Sequence, residues 1–338
     1  MKIKFFILFL FVSLYINGTT QDIVLSQPFS ASQFLSPAAV GTGNYQQRIK
    51  SNLRDQFMNG SSMYRTIVAG WDARIKVKSF EEETTNYFGI GTQIMSDQVG
   101  GGLLNTTYLT LNMAYHMSLD TKNNKSLSVG LGGTIAQTYL NRNNLRFGDQ
   151  YDLTGYFVPG LVSADYANLK PFPIKFSANA GLLYTLHSDE RFFQCSANAF
   201  YYSRPDITYS GVNQSTAMRA TSFMNFETLI GGDYTFLMHA SYNNRSGIQQ
   251  EMIGGSIGVP VLYNYDKVSR IYAGCFVRVG DAIIPTVSML MDKYILGFSY
   301  DIYNNGLSSS NIKTNSFEIS LSASFGKTHN NLFRTLFD

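Results

Sequence analysis

A soluble chain of 338 residues would ordinarily divide into two domains, yet no linker-like stretch splits this one. Charged residues make up only 14%, against roughly 25% in ordinary globular proteins, and aromatics also reach 14%. A mean hydropathy of −0.07 excludes a helical membrane protein. The net charge of +3 gives no electrostatic case for a nucleic-acid partner.

Residues 1–20 read as a secretory signal peptide. Lys2 and Lys4 are the basic start, Phe5 to Ile16 the apolar core, and Gly18, Thr19 and Thr20 the small residues before a cut ahead of Gln21. The apolar run is too short for a membrane span, which needs about 20 residues. Residues 21–44 contain Pro28, Pro37, Gly41 and Gly43 and do not alternate. They read as an irregular segment, either periplasmic or tucked into a lumen as a plug.

Fourteen strand-like runs follow, at 45–57, 62–78, 87–97, 105–119, 125–141, 172–187, 190–204, 222–230, 233–244, 248–260, 270–280, 283–290, 293–303 and 314–325. Their pattern is the period-two alternation of a strand with two unlike faces. Tyr294, Leu296, Phe298, Tyr300 and Ile302, for example, oppose Lys293, Ile295, Gly297, Ser299 and Asp301. A soluble sandwich also has two unlike faces, but its strands average five or six residues. These runs have the length of strands that cross a bilayer at a tilt.

Three further features agree. With fourteen strands, the long connections 142–171, 206–221 and 304–313 all fall at one end. Tight turns at His187-Ser188-Asp189, Gly231-Gly232 and Met291-Asp292 fall at the other, as in barrels with short periplasmic turns. In the clean strands the charges Asp72, Arg74, Lys76, Arg278, Asp301 and Glu318 lie on the polar face, and Arg65 is an exception near a strand end. The expectation is an all-β chain, a transmembrane antiparallel β-barrel of about fourteen strands over residues 45–326. A short tail, 327–338, follows it, with Phe325 and Phe337 as alternative closing aromatics.

Chemistry-bearing residues are sparse. His116, His187, His239 and His329 show no metal-ligand spacing. No catalytic or phosphate-binding motif appears, so no cofactor and no enzyme activity are expected. Cys195 and Cys275 fall on strands that are not neighbours and read as free buried thiols. Arg278, Asp281, Asp301 and Glu318 sit at the wall or rim of the last strands. They read either as a lumenal salt-bridge network or as a contact for a plug or partner, and Arg54, Asp55 and Gln56 carry the same two readings.

Several motifs resemble one family. They are Gly280-Asp281-Ala282-Ile283-Ile284-Pro285, the run Leu296 to Ile302 and the run Phe317 to Leu321, with Gln21-Asp22, Ser26-Gln27, Ser36-Pro37-Ala38 with Gly41, Arg54-Asp55-Gln56-Phe57 and Gly148-Asp149-Gln150. In order and spacing the chain resembles the PorP/SprF outer-membrane proteins of the type IX secretion system of Bacteroidetes. It departs at Ser36, where Asn is usual, and at Phe57, where Trp is usual. The resemblance implies a barrel in the lipid of the outer membrane. Its partners would be type IX secretion components and exported protein cargo bearing a sorting domain, a large surface adhesin for gliding among the candidates. It also marks Ser36, Pro37, Ala38 and Gly41 as a plug motif and Gly148, Asp149 and Gln150 as a loop motif. The rival expectation is a fatty-acid-channel-like transporter of small hydrophobic molecules.

Overall fold

A computed structural model describes residues 23–27, 29–56, 63–76, 86–122, 124–141, 145–152, 154–164, 172–201, 206–209, 212–215, 217–231, 233–245, 247–264, 267–304, 315–326 and 335–337. The expected signal peptide and His329 lie outside the described residues. In chain order the strands are β1 (Gln47–Gln56), β2 (Tyr64–Lys76), β3 (Tyr87–Val99), β4 (Leu104–Ser118), β5 (Lys125–Leu140), β6 (Lys175–His187) and β7 (Arg191–Phe200). A short hairpin follows, β8 (Asp206–Tyr209) and β9 (Val212–Ser215). The rest are β10 (Arg219–Ile230), β11 (Tyr234–Arg245), β12 (Ile248–Asn264), β13 (Lys267–Arg278), β14 (Ala282–Met291), β15 (Tyr294–Tyr303) and β16 (Ser316–Phe325).

All strands except β8 and β9 form one closed antiparallel barrel, so fourteen strands make the wall. The sheet closes where β1 pairs with β16, from Gln47 opposite Phe325 to Gln56 opposite Ser316. Closure leaves no edge strand in the wall: each strand pairs with a neighbour on both sides, as a wall in hydrocarbon requires, with a gap in the β14–β15 ladder at Ile284 and Pro285. β1 therefore starts, and β16 finishes, at one end, called here the terminal end. The long connections 141–174, 201–218 and 304–315 lie at the opposite, far end. Among the described residues no helix is long and apolar enough to cross a membrane.

Side chains alternate as the two environments demand. In β14 and β15 nearly every second residue is buried and the residues between are exposed. Outward positions carry large apolar groups, such as Leu131 at 64% exposure in the middle of β5. Among the described residues the ladder slips once, between Pro260 and Leu262 on β12, where proline has no N–H to give.

Three expectations need correcting. The connection expected over 206–221 contains the β8–β9 hairpin, and β10 starts at Arg219 rather than 222. Arg219 and Thr221 are polar residues that bond inward to the N-terminal segment, so the alternation there is harder to see. Asp55 does not share the lumen with Arg54. It lies on the outward register, where Arg65 meets it at 2.7 and 2.8 Å, so the two misplaced charges neutralise each other. The thiols are free but not buried: Cys275 is exposed on the outward face and Cys195 is partly so.

Leu131→Arg tests the outward face. It should lower folding stability in lipid by about 2–4 kcal/mol, the midplane cost of a cation, read as a shifted urea midpoint for refolding into bilayers. An unshifted midpoint would mean that this face does not meet hydrocarbon.

Candidate functional site

The site is the interior. Residues 23–27 and 29–46 cross it, and the wall is shaped to hold them. A four-residue helical turn, α1 (Ser32–Leu35), leads into a tight 3-10 turn at Pro37–Ala39, which opens where the Ser36 hydroxyl accepts the Ala38 N–H at 3.2 Å. Ser36, Pro37 and Ala38 are buried against the wall of β4 to β6. Gly130 on β5 makes the room: a Cβ there would sit 2.5 Å from the Ala38 Cα. Gly41, in a left-handed conformation at φ 74°, lies against the backbone of Gly89 on β3.

β1 reads out the segment one polar side chain at a time. Its inward residues are Arg48, Lys50, Asn52 and Arg54, spaced by two as a strand face requires. Lys50 Nζ donates to the Phe29 carbonyl at 2.8 Å and Asn52 Nδ2 to the Ser30 hydroxyl at 2.6 Å. Arg48 forks onto Asp72 of β2 at 3.1 and 3.0 Å. That carboxylate also accepts the Gly41 N–H at 2.9 Å and the Tyr45 hydroxyl at 2.6 Å. Other strands take the remaining carbonyls. Arg219 Nη2 donates to Phe34 O at 2.6 Å, with its guanidinium over the Phe34 and Phe200 rings, and Thr221 donates to Leu35 O at 2.8 Å. His116 Nε2 donates to Val40 O at 2.8 Å, so its Nδ1 accepts from Ser128 at 2.6 Å.

The densest cluster is near the far end. Arg54 Nη2 meets Asp301 of β15 at 2.6 Å and Arg54 Nη1 meets Glu318 of β16 at 3.2 Å. Arg278 of β13 meets Asp301 at 2.9 Å and reaches Asp281, at the edge of the cluster, at 2.8 Å. Ser26 is the centre. Its N–H donates to Glu318 at 2.6 Å and its hydroxyl to Asp301 at 2.8 Å, while its Oγ accepts from Arg54 and Arg278. The Gln27 N–H adds a bond to Glu318 at 3.0 Å. Arg54, Arg278, Asp301 and Glu318 are all buried. Charges taken out of water are costly unless paired and hydrogen-bonded. Here two guanidiniums face two carboxylates, with the Arg278 Nε left without a hydrogen bond among the described residues. Gln56 follows Arg54 on the inward register of β1.

Apolar contacts complete the filling. Leu25 and Phe34 pack against Val68 and Met95, and Ala38 and Ala39 against Leu183 and Phe223. Such inward apolar wall residues are unusual for a water-filled barrel and match the segment they cover.

Gly148, Asp149 and Gln150 lie elsewhere, in the far-end loop between β5 and β6, where they form a 3-10 turn. They brace that loop. Asp149 accepts the Ser163 hydroxyl at 2.9 Å and the Ala164 N–H at 2.8 Å, and Gln150 Nε2 donates to Leu161 O at 2.7 Å. Asp152 accepts from the Thr154 hydroxyl and from the Thr154 and Tyr156 N–H groups, which hold its carboxyl below the usual carboxylate range. The braced loop leaves Tyr156 74% and Val162 79% exposed, with Tyr151, Val158 and Leu161 beside them in sequence also exposed.

Sequence reasoning did not single out Arg48, Asp72, Arg219 or Glu227 as partners. The available signal was the polar alternation of β1 and the opposite charge of Asp72, which stands across from Arg48 in the β1–β2 register.

A family model described as type IX secretion system membrane protein PorP/SprF matches residues 17–323. No curated protein matches. Solved structures similar to the chain include the CymD monoaromatic hydrocarbon channel at 10% identity, covering 89% of this chain and 94% of that one, with a TM-score of 0.46. The Ralstonia pickettii toluene transporter TbuX matches at 9% identity over 88% and 94%, also with a TM-score of 0.46. BamA from Haemophilus ducreyi matches at 8% over 83% and 71%, with a TM-score of 0.41.

Asp301→Leu removes the carboxylate that both guanidiniums share. It should cost about 3–5 kcal/mol, the usual penalty for stranding a buried charge, seen as an earlier urea midpoint. Gly130→Val should cost about 1–3 kcal/mol by overpacking. It should also expose residues 23–40 to added protease while the barrel itself stays resistant. Protection of that segment as in the wild type would show that the notch does not seat it.

Proposed function

We propose, on the premise that the chain belongs to the PorP/SprF family of type IX secretion system membrane proteins, that this outer-membrane barrel is a non-enzymatic docking component which binds secretion-machinery partners and exported cargo through its surfaces. Family and fold together point to a secretion component of the outer membrane. In the proposed orientation the terminal end, with most of the tight turns, faces the periplasm and the far-end loops face outward.

The observation that carries the reading is the braced far-end loop with exposed Tyr156 and Val162. Exposed apolar side chains gathered on one loop are what a protein-contact surface offers. The hydrogen bonds at Asp149, Gln150 and Asp152 form within the loop itself, which lowers the entropy that binding there would cost. The occupied lumen, with a segment hydrogen-bonded to β1, β2, β4, β10 and β16, is common to this reading and to the rival solute-channel reading, which also has an N-terminal plug.

The test is Tyr156→Asp combined with Val162→Asp in the tagged chain, expressed in its own cells. Co-purified secretion components and cargo should fall at least about fivefold, a loss of about 1 kcal/mol, with the urea midpoint unchanged. Undiminished recovery of both classes of partner would remove the docking role from this loop.

A further inference from the structure

The family match ends at residue 323 and the last strand at Phe325, yet residues beyond them return to the barrel interior. Thr335, Leu336 and Phe337 are buried there. The Phe337 ring stacks on Phe192 of β7 at 5.6 Å, with the planes 9° apart. Leu336 and Phe337 belong to one apolar cluster with Leu237, Tyr272, Ile284 and Leu290. The backbone of the same pair is also read. Glu227 Oε2 accepts the Leu336 N–H at 3.1 Å, and Arg48 Nη1 donates to the Phe337 carbonyl at 3.1 Å. Both of these wall residues are buried, and the other Glu227 oxygen is held by the Tyr272 hydroxyl at 2.6 Å.

This is the anatomy of a peptide site: an acceptor and a donor fixed for consecutive main-chain groups, and an apolar pocket for their side chains. The wall residues do not need the tail for their own positions. Glu227 is oriented by Tyr272 and Arg48 by Asp72. The apolar cluster faces the interior of a barrel whose lumenal face is elsewhere largely polar, and the residues that cover its wall members are Phe29, Leu336 and Phe337.

We propose that the lumen between β7, β10, β11 and β13 holds a binding site for a short peptide carrying a Leu-Phe pair, occupied in cis by the chain's own residues 335–337. A second protein presenting a segment of that chemistry displaces the tail. The site is remote from the exposed 145–164 loop and stands or falls independently of the docking role assigned to it.

The experiment places a protease recognition sequence between residues 327 and 334 of the full chain, cuts it after folding, and washes the barrel. A fluorescent peptide with the sequence of residues 334–338, which carries Leu336-Phe337 and no second Leu-Phe pair, is then titrated in. The uncut chain should bind none. The cut barrel should bind saturably, and a peptide carrying Leu336→Ser and Phe337→Ser should bind at least about tenfold more weakly, since both buried side chains are lost. The uncut chain with the same two substitutions should also take up the unaltered peptide, which tests the site without proteolysis. No uptake by either preparation, or equal binding of the serine-substituted peptide, would overturn the proposal and leave the tail as permanent packing.

Discussion

Arg54 is buried in the lumen with its guanidinium split between Asp301 and Glu318, and much of the structure depends on that contact. β1 carries the cation and β16 carries Glu318, and these are the two strands whose pairing closes the barrel. The seam that joins the first strand to the last therefore holds an ion pair that cannot form until the sheet has closed. Ser26 sits among the same atoms. One cluster therefore fastens the wall to itself and the preceding segment to the wall. Neither carboxylate could stay charged here without those donors.

The consequence is a barrel with an interior like that of a soluble protein. Polar wall residues pair with the backbone of residues 26–41, apolar ones meet Leu25, Phe34 and Ala38, and Gly130 clears the space for the turn at Pro37–Ala39. Residues 335–337 fill a further part of the lumen against β7 and β10. A wall this committed to its own chain is suited to holding loops and surfaces in place. That is the property a docking component of a secretion system needs.

The wall was legible in the sequence because lipid imposes a strict rule. Outward residues such as Leu131, Phe298 and Leu321 must be apolar, and the alternation repeats strand after strand. Strand number followed, and so did the end on which the long connections lie. The interior obeys no comparable rule. Residues 23–46 have no period, so nothing in them shows that Lys50 meets Phe29 or that Arg219 meets Phe34. Arg54, Asp301 and Glu318 could be singled out as charges on inward faces. Their meeting depends on closure, which brings together residues separated by most of the chain. Asp55 is hard to place from sequence because its neighbour Arg54 is inward, while its own partner, Arg65, lies on the next strand. In the tail, Leu336 carries no signal beyond its hydrophobicity, and Phe337 reads only as an alternative closing aromatic, which says nothing of its place in the lumen.

The central claim is that the intact barrel is closed by its own N-terminal segment, clamped at Ser26 and seated at Gly130. Ion conductance of the purified full chain in a planar lipid bilayer tests it most directly. The structure predicts insertion without steady current. Stable, stepwise ion currents through the unaltered chain would contradict it.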